Sequence, residues 1–338
     1  MALQLKRFWV AFFVSVGVSC LLHALVLDIS HAQSFPAHPV TINVGHPPGG
    51  VTDIMVRTLA QGTEKPLGQK IVIVNKPGGA GTLVASSLLK EKPDGYTLGA
   101  FMDTPVTRTP HMMDVPYDPF KDLSHILLVG MAKQGFIVRA DSPFQSWRDL
   151  VAWAKQNPNK LIFGHTGKGT TVQLAMTKIA HIEGFTYKDV PFTGDTPAVT
   201  ALLSGTVMVA SGTTLGFKGH YDAGMVRILL AYEREGLDYA PSVPTFEKMG
   251  YGFDAPLCAV ICGPKDIPSS IKDKLEKALI EGMKSDMFRS VAKKQEFMVP
   301  EKPLVGPELV EYLKSQSAFF QQSLTEAGLA KGQKKQGN

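Results

Sequence analysis

The chain has 338 residues, with 35 Lys and Arg against 30 Asp and Glu, a formal net charge of +5 and three cysteines. The cations are spread along the chain and no basic run is interleaved with stacking aromatics, which excludes nucleic acid as the expected partner. So few cysteines exclude a disulfide framework, and a chain this long must hold itself by burying a core.

Lys6 and Arg7 precede an apolar run from Phe8 to Leu27, and Ser30-His31-Ala32-Gln33 follows as a small-x-small pattern. This reads as a secretory signal peptide, residues 1–32, cleaved after Ala32. The run approaches the ~20 residues that span a bilayer, so an uncleaved anchor is the alternative. Ser30 and Ala32 favour cleavage, and the sequence that follows is polar and Pro-rich. Cys20 as a lipid attachment site ranks lower, because Gly17-Val18-Ser19 before it lacks the usual large aliphatic residue. Loss of Lys6, Arg7 and Asp28 lowers the net charge to +4 and leaves Cys258 and Cys262 as the only thiols. Four apart on a strand, two residues share a face at about 13 Å, too far for a bridge, so these read as buried free thiols.

Beyond the leader, apolar runs alternate with helical patterns, which predicts α/β layers on largely parallel sheets and, at this length, two lobes. A strand at Val40 to Val44 runs into the turn His46-Pro47-Pro48-Gly49-Gly50, after which Val51, Ile54, Met55, Thr58 and Leu59 fall at helical spacing in a helix over Thr52 to Pro66. The first N–H groups of that helix and the positive end of its dipole face whatever sits above the turn, a socket suited to a carboxylate. The alternative is a plain strand-to-helix loop capped by Thr52 or Asp53. A strand at Ile71 to Asn75 enters a second such turn, Asn75 to Thr82, before a helix over Gly81 to Lys90. Strands are predicted at Thr97 to Phe101, Leu127 to Met131 and Phe136 to Arg139, then a helix over Ser146 to Asn157. The strand at Leu161 to Gly164 leads through Gly164-His-Thr-Gly-Lys-Gly-Thr-Thr171 into a helix over Thr170 to Glu183. The strand at Thr186 to Pro191 leads through Phe192-Thr-Gly-Asp-Thr-Pro-Ala198 into one over Thr196 to Ser204. Strands at Val207 to Ser211, Val226 to Ala231 and Cys258 to Ile261, and helices over Ser269 to Ser285 and Pro307 to Ala327, complete the pattern. The polar tail from Lys331 is expected to be disordered. In open α/β sheets the loops beyond the carboxyl ends of strands face one crevice, so four Gly-rich turns in two lobes can converge on one ligand.

Enzyme signatures are missing. No Gly-x-Ser-x-Gly elbow, His-Glu-x-x-His, Cys-x-x-Cys or complete phosphate loop occurs, and Gly167-Lys168-Gly169-Thr170 lacks the upstream glycine spacing of the last. His181 with Glu183 reads as a helix surface rather than a metal pair. Ser211-Gly212-Thr213-Thr214 has no identifiable base. No catalytic residue, metal or cofactor is therefore expected.

Pro39 to Asp53, Val74-Asn-Lys-Pro-Gly-Gly-Ala-Gly81, Lys92-Pro-Asp-Gly-Tyr-Thr-Leu98, Tyr117-Asp-Pro-Phe-Lys-Asp-Leu123 and Val243-Pro-Thr-Phe-Glu-Lys-Met-Gly250 resemble, in order and spacing, the solute-binding proteins of tripartite tricarboxylate transporters, also called Bug or TctC-type proteins. The resemblance covers Phe35 to Leu329. It implies a two-lobed α/β periplasmic binding protein, type II-like, with two hinge-crossing strands near Phe136 to Arg139 and near Phe253 to Ile261. One lobe would be 33–136 with 256–330, the other 137–255. The implied activity is capture of a small organic carboxylate by backbone N–H groups and ordered water, by a monomer that delivers it to membrane components of the transporter. The implied ligand loops are Pro47 to Asp53, Asn75 to Gly81, Thr166 to Thr171 and Thr193 to Pro197, with candidate contacts at Pro47, Pro48, Gly49, Gly50, Thr52, Asp53, Asn75, Gly79, Gly81, Thr166, Gly167, Lys168, Gly169, Thr170, Thr193, Gly194 and Asp195; His46, Asp103 and Thr104 are added as candidates from this sequence itself.

Five residues depart from the family pattern. His46 stands for an aromatic or aliphatic residue, Asp103 for a small polar one, Lys168 in a neutral turn, Cys258 for an aromatic residue and Met208 for an acidic one. If they face the cleft, His46 and Lys168 pair with a carboxylate and Asp103 accepts from an amine, hydroxyl or water. The structural alternatives are a cap at Thr104-Pro105 for Asp103, solvent for Lys168 and packing beside Pro47 for His46. Asp195 is expected to be an N-cap. Rival functions are a sensor or adaptor that docks on a sensor domain and, further off, an enzyme on the same scaffold.

Overall fold

The structure, a computed structural model, describes residues 35–252 and 256–333. The leader 1–32, Phe253 at the expected second crossing and residues 334–338 of the tail lie outside the described residues. Phe35 to His38 belong with the N-terminal segment, and the unit from Pro39 onward carries both sheets. Among the described residues no helix is long and apolar enough to cross a membrane.

β1 (Val40–Val44) pairs in parallel with β2 (Ile71–Asn75) on one side and β3 (Thr97–Met102) on the other. α1 (Val51–Leu67) makes the crossover between β1 and β2, burying Val51, Met55, Val56 and Leu59 on one face. It ends at Gly68, whose left-handed backbone lets its N–H donate to the Glu64 carbonyl. A short 3-10 turn at Gly79–Gly81 opens α2 (Thr82–Ser87). After β3 come two one-turn helices, α3 (Thr104–Thr107) and α4 (Thr109–Met112), each with a proline in its first turn.

β4 (Leu123–Ala132) belongs to this first sheet, and β5 (Gln134–Arg139) to the second; Lys133 alone separates them. The second sheet is built from α5 (Trp147–Gln156), β6 (Leu161–His165), α6 (Thr171–Glu183), β7 (Tyr187–Pro191), α7 (Asp195–Leu203), β8 (Val209–Thr213), α8 (Thr214–Asp222) and β9 (Val226–Ala231). The chain then returns to the first sheet with β10 (Leu257–Pro264), α9 (Ser269–Lys284), α10 (Asp286–Gln295), β11 (Phe297–Met298) and α11 (Gly306–Glu326). The strand orders are β11-β4-β10-β3-β1-β2 and β7-β6-β8-β5-β9.

The expectation of largely parallel sheets is corrected to mixed sheets. β10 runs antiparallel to β3 and β4, and β5 antiparallel to β8 and β9. The register gives the reason. Gln134 at the start of β5 lies opposite Thr213 at the end of β8, and Ala259 near the start of β10 lies opposite Met102 at the end of β3. Each crossing strand therefore enters its sheet at the carboxyl ends of the parallel strands and must run back against them. The crossings and the Gly-rich turns share that edge. α3, α4, α8, α10 and β11 have no counterpart among the predicted elements, and β4 is longer than predicted.

Each sheet has its own core. Phe101, Leu128 and Val260 pack with Val84 and Leu88 on the first; Phe136, Trp147, Phe163 and Met176 pack on the second. α11 joins both: Leu309 and Leu313 lie in the first core, Phe320 and Leu324 in the second. At 1.5 Å per residue a helix of this length spans about 30 Å, enough to reach across both. Cys258 and Cys262 are buried free thiols, as the strand spacing predicts. Of the polar tail, Lys331 is described, and its N–H donates to the His111 carbonyl at 2.7 Å.

Candidate functional site

The turn after β1 is shaped from within. The Gly49 N–H donates to Asp53 Oδ2 at 3.0 Å, Arg57 Nη2 to Asp53 Oδ1 at 2.6 Å, and Asn75 Nδ2 to both Asp53 Oδ1 at 2.8 Å and the His46 carbonyl at 3.0 Å. Burial pulls the Asp53 carboxyl up, but the hydrogen bonds from Arg57, Gly49 and Asn75 and the Arg57 charge outweigh it and hold the group below its ordinary value. Gly50 occupies the N-cap without a side-chain cap, so the first N–H groups of α1 keep the open valence that every helix start has. Thr52 Oγ1 is buried beside them with no partner among the described residues. Pro47, Pro48 and Gly49 are exposed and Gly50 is half-buried.

The turn after β6 repeats the device. The Gly169 N–H donates to Gln173 Oε1 at 2.6 Å, again four residues on, and Gln173 Nε2 donates to Asp189 Oδ2 at 2.9 Å on β7. His165 Nε2 lies 3.0 Å from Asp189 Oδ1, and Thr170 Oγ1 donates to the Gly167 carbonyl at 2.8 Å. In both halves a strand-turn-helix-strand unit is thus locked by a side chain from the first helical turn that is also tied to the next parallel strand.

These turns adjoin. A Cβ on Gly45 would lie 2.7 Å from Gly81 Cα, and one on Gly81, at φ +96°, 2.7 Å from Phe101 Cβ, so the turns after β1 and β2 touch. Thr82 Oγ1 is 3.4 Å from Thr109 Oγ1. Across the halves, Gly169, at φ +71°, sits so close to Met112 that any Cβ would collide with its sulfur. Arg108 Nη1 donates to Thr171 Oγ1 at 2.6 Å. The structure thereby brings 45–53, 79–82, 103–112 and 166–171 into one neighbourhood; Gly79 is exposed and Thr104 buried within it. The turn Thr193-Gly194-Asp195 is tied instead to β8.

Several side chains have partners that the sequence does not disclose. Asp103 is fully buried and holds the N-cap position of α3 through its carbonyl, without a side-chain cap bond: its carboxylate accepts from Arg108, from Thr107 Oγ1 at 3.2 Å and from the Cys258 N–H at 3.4 Å. Burial pulls its carboxyl up and Arg108 pulls it down. The N-cap expectation for Asp195 is corrected. Gly194 holds that position, and the Asp195 carboxylate turns to accept the Thr213 N–H at 3.0 Å and the Thr213 hydroxyl, in space that Gly212 and Gly216 leave open. Burial pushes this carboxyl up, against the Thr213 hydrogen bonds. Burial also holds the His46 imidazole down to about 4, so at neutral pH it is a neutral hydrogen-bonding group rather than a counter-charge. Lys168 is exposed, and Thr166 and Gly167 are half-buried.

At the first crossing Lys133 Nζ lies 3.2 Å from Asp238 Oδ1 and 3.7 Å from Glu296 Oε2. Glu233 Oε2 accepts the Gln134 N–H at 2.8 Å, and Glu296 Oε1 the Tyr239 N–H at 3.3 Å. Among the described residues no cluster of His, Cys, Asp or Glu is placed to hold a metal ion. Arg108, Gln173 and Thr213 are absent from the sequence-based set. Gln173 had a signal, its offset of four from Gly169 matching that of Asp53 from Gly49; Arg108 had none.

Two α/β sheets joined by crossing segments, with Gly-rich turns gathered at the crossing edge, define the two-lobed fold of periplasmic binding proteins. A family model described as tripartite tricarboxylate transporter family receptor, TctC, matches residues 55–302, and the chain belongs to that family of Bug or TctC-type solute-binding proteins. It is 34% identical over 287 residues to the UPF0065 protein in the gbd 5' region of Cupriavidus necator, covering 83% of this chain and 87% of that one. The solved periplasmic binding protein BugD superposes with a TM-score of 0.80 at 26% identity, over 88% of this chain and 99% of that chain. An R. palustris protein solved with adipate gives a TM-score of 0.80 at 23% identity, over 88% and 99%.

Proposed function

We propose that this chain is a periplasmic receptor that captures a small organic carboxylate between its lobes, largely through backbone N–H groups of the turns at 47–53, 75–81, 166–171 and 193–197, and delivers it to the membrane components of a tripartite transporter. The lobes are 33–136 with 256–330 and 137–255, closing as a monomer, and no chemical step is involved. The observation that carries this reading is the pair of turns locked by Asp53 and Gln173, with the first-turn N–H groups of α1 and α6 beside them, in a chain of the TctC receptor family. The adipate held by a protein of the same fold supports the ligand class.

Dipolar N–H groups fixed before the ligand arrives cost no reorganisation on binding, which suits reversible capture of an anion. Native mass spectrometry of protein purified without added ligand, followed by titration calorimetry against a panel of mono-, di- and tricarboxylates, tests the reading. A co-purified or titratable acid released unaltered is the expected result. An empty protein with no heat and no thermal shift across the panel would overturn it.

A further inference from the structure

The carboxylate reading leaves open which side chain distinguishes one acid from another, and the inference that follows rests on that reading. Arg108 is fully buried, and its guanidinium is fixed from three directions. One Nη donates to Asp103, the other to Thr171 Oγ1 at 2.6 Å, and the group lies 4.0 Å over the Phe320 ring. Asp103 belongs to the first half; Thr171 opens α6 in the second, and Phe320 packs in the second core. Arg108 therefore reaches across. Its Nε–H is buried with no acceptor among the described residues. A donor on a charged group is seldom left unpaired in a protein interior, because the loss of its water is then uncompensated.

Thr171 is the first residue of α6, so its own N–H and the next two lack intrahelical acceptors. Thr171 Oγ1, the acceptor of Arg108 Nη1, belongs to that first turn, so the guanidinium and these N–H groups lie together. Exposed Lys168 and neutral His46 make poorer readers of such an oxygen. Asp103 cancels the net charge of Arg108, so the guanidinium contributes a fixed donor rather than general attraction. A fixed donor discriminates by what happens when its acceptor is missing: facing a methyl group, it stays unpaired.

We propose that Arg108, positioned by Asp103, is the specificity-determining residue of the cleft, giving its Nε–H to a carboxylate oxygen at the α6 end of the ligand and so selecting dicarboxylates over monocarboxylates of equal length.

The probes are succinate against butyrate and adipate against hexanoate, titrated by calorimetry. Arg108→Lys keeps the charge opposite Asp103 but has no Nε–H, and the double variant Asp103→Asn with Arg108→Met leaves no unpaired buried charge. Wild-type protein is expected to bind one dicarboxylate at least about tenfold tighter than its partner monocarboxylate, since a site built to hydrogen-bond an oxygen rejects the analogue lacking it. Both variants are expected to lose that ratio, the dicarboxylate falling at least about tenfold relative to its partner monocarboxylate. A ratio unchanged in both variants, or affinities for both acids falling in parallel, would overturn the proposal. Wild-type binding of both members of a pair equally would sink this inference and leave carboxylate capture standing; binding of none of the four would remove both.

Discussion

The backbone N–H of Gly49 donates to the Asp53 carboxylate at 3.0 Å, so the turn after β1 is shaped by an anion the chain carries itself. Gln173 does the same for Gly169 with a neutral amide oxygen. Both turns are therefore preorganised, but only in the first is the group that accepts the turn N–H itself titratable.

Replacing Asp53 by Ala strips acceptors from Gly49, Arg57 and Asn75 together and is expected to cost about 1–3 kcal/mol at pH 7, as for other buried acceptors of charged donors. The Asp53 carboxyl is held below its ordinary value, so its contribution is present above the unfolded pKa of about 4 and lost as pH falls through the lower folded one. Urea unfolding of wild type and Asp53→Ala should differ at neutral pH and converge in acid. Curves that stay parallel would refute the assignment.

Gly169→Ala combines a left-handed φ with a collision against Met112, so it is expected to weaken ligand binding and cost about 1–3 kcal/mol of stability. Adding Met112→Ala should return part of both losses. If the second substitution restores nothing, the contact between the halves is not what limits Gly169.

His125 is buried, with Nε2 2.8 Å from the Pro119 carbonyl and Nδ1 3.3 Å from Cys262 Sγ. A carbonyl only accepts, so Nε2 carries the proton and Nδ1 takes the thiol hydrogen; the ring is neutral. Burial lowers this imidazole to about 4. Its contribution is therefore full above about pH 6.5 and lost as pH falls from there through 4, by up to ~3 kcal/mol. His125→Gln should flatten that limb of a stability-pH curve, and NMR titration should show no protonation of this ring near pH 6.5.

Glu233 responds in the opposite sense. Burial raises its carboxyl to about 8, against the Gln134 N–H and Lys133, which pull it down. The folded chain then holds a proton that the unfolded chain releases above its ordinary carboxyl range, so stability falls as pH rises from about 4.5 through 8. Glu233→Gln keeps an oxygen for the Gln134 N–H and loses the charge. It is expected to melt higher than wild type at pH 9 and near wild type at pH 4.5; a melting difference independent of pH would rule this out.

The Pro- and Gly-rich turns were legible because those residues punctuate a chain locally, and the strands on either side because β1, β6 and β9 are short apolar runs. Strand direction was not legible. Periodicity is the same for β10 whether it runs with β3 or against it, and only the point at which the crossing enters the sheet decides. Arg108 was invisible for a related reason: Thr171 is 63 residues away and Phe320 farther still, and nothing in Thr-Arg-Thr-Pro marks a residue as spanning two halves. Asp103 stood out as an unusual residue, but its partner, which defines its role, did not.

α11 carries Leu309 and Leu313 in one core and Phe320 and Leu324 in the other. A molecule whose two interiors share one rod has no seam along which to come apart, and heating should melt it in a single calorimetric step. The same rod restrains the swing of the halves, since any wide opening must bend it or draw one end out of its bed.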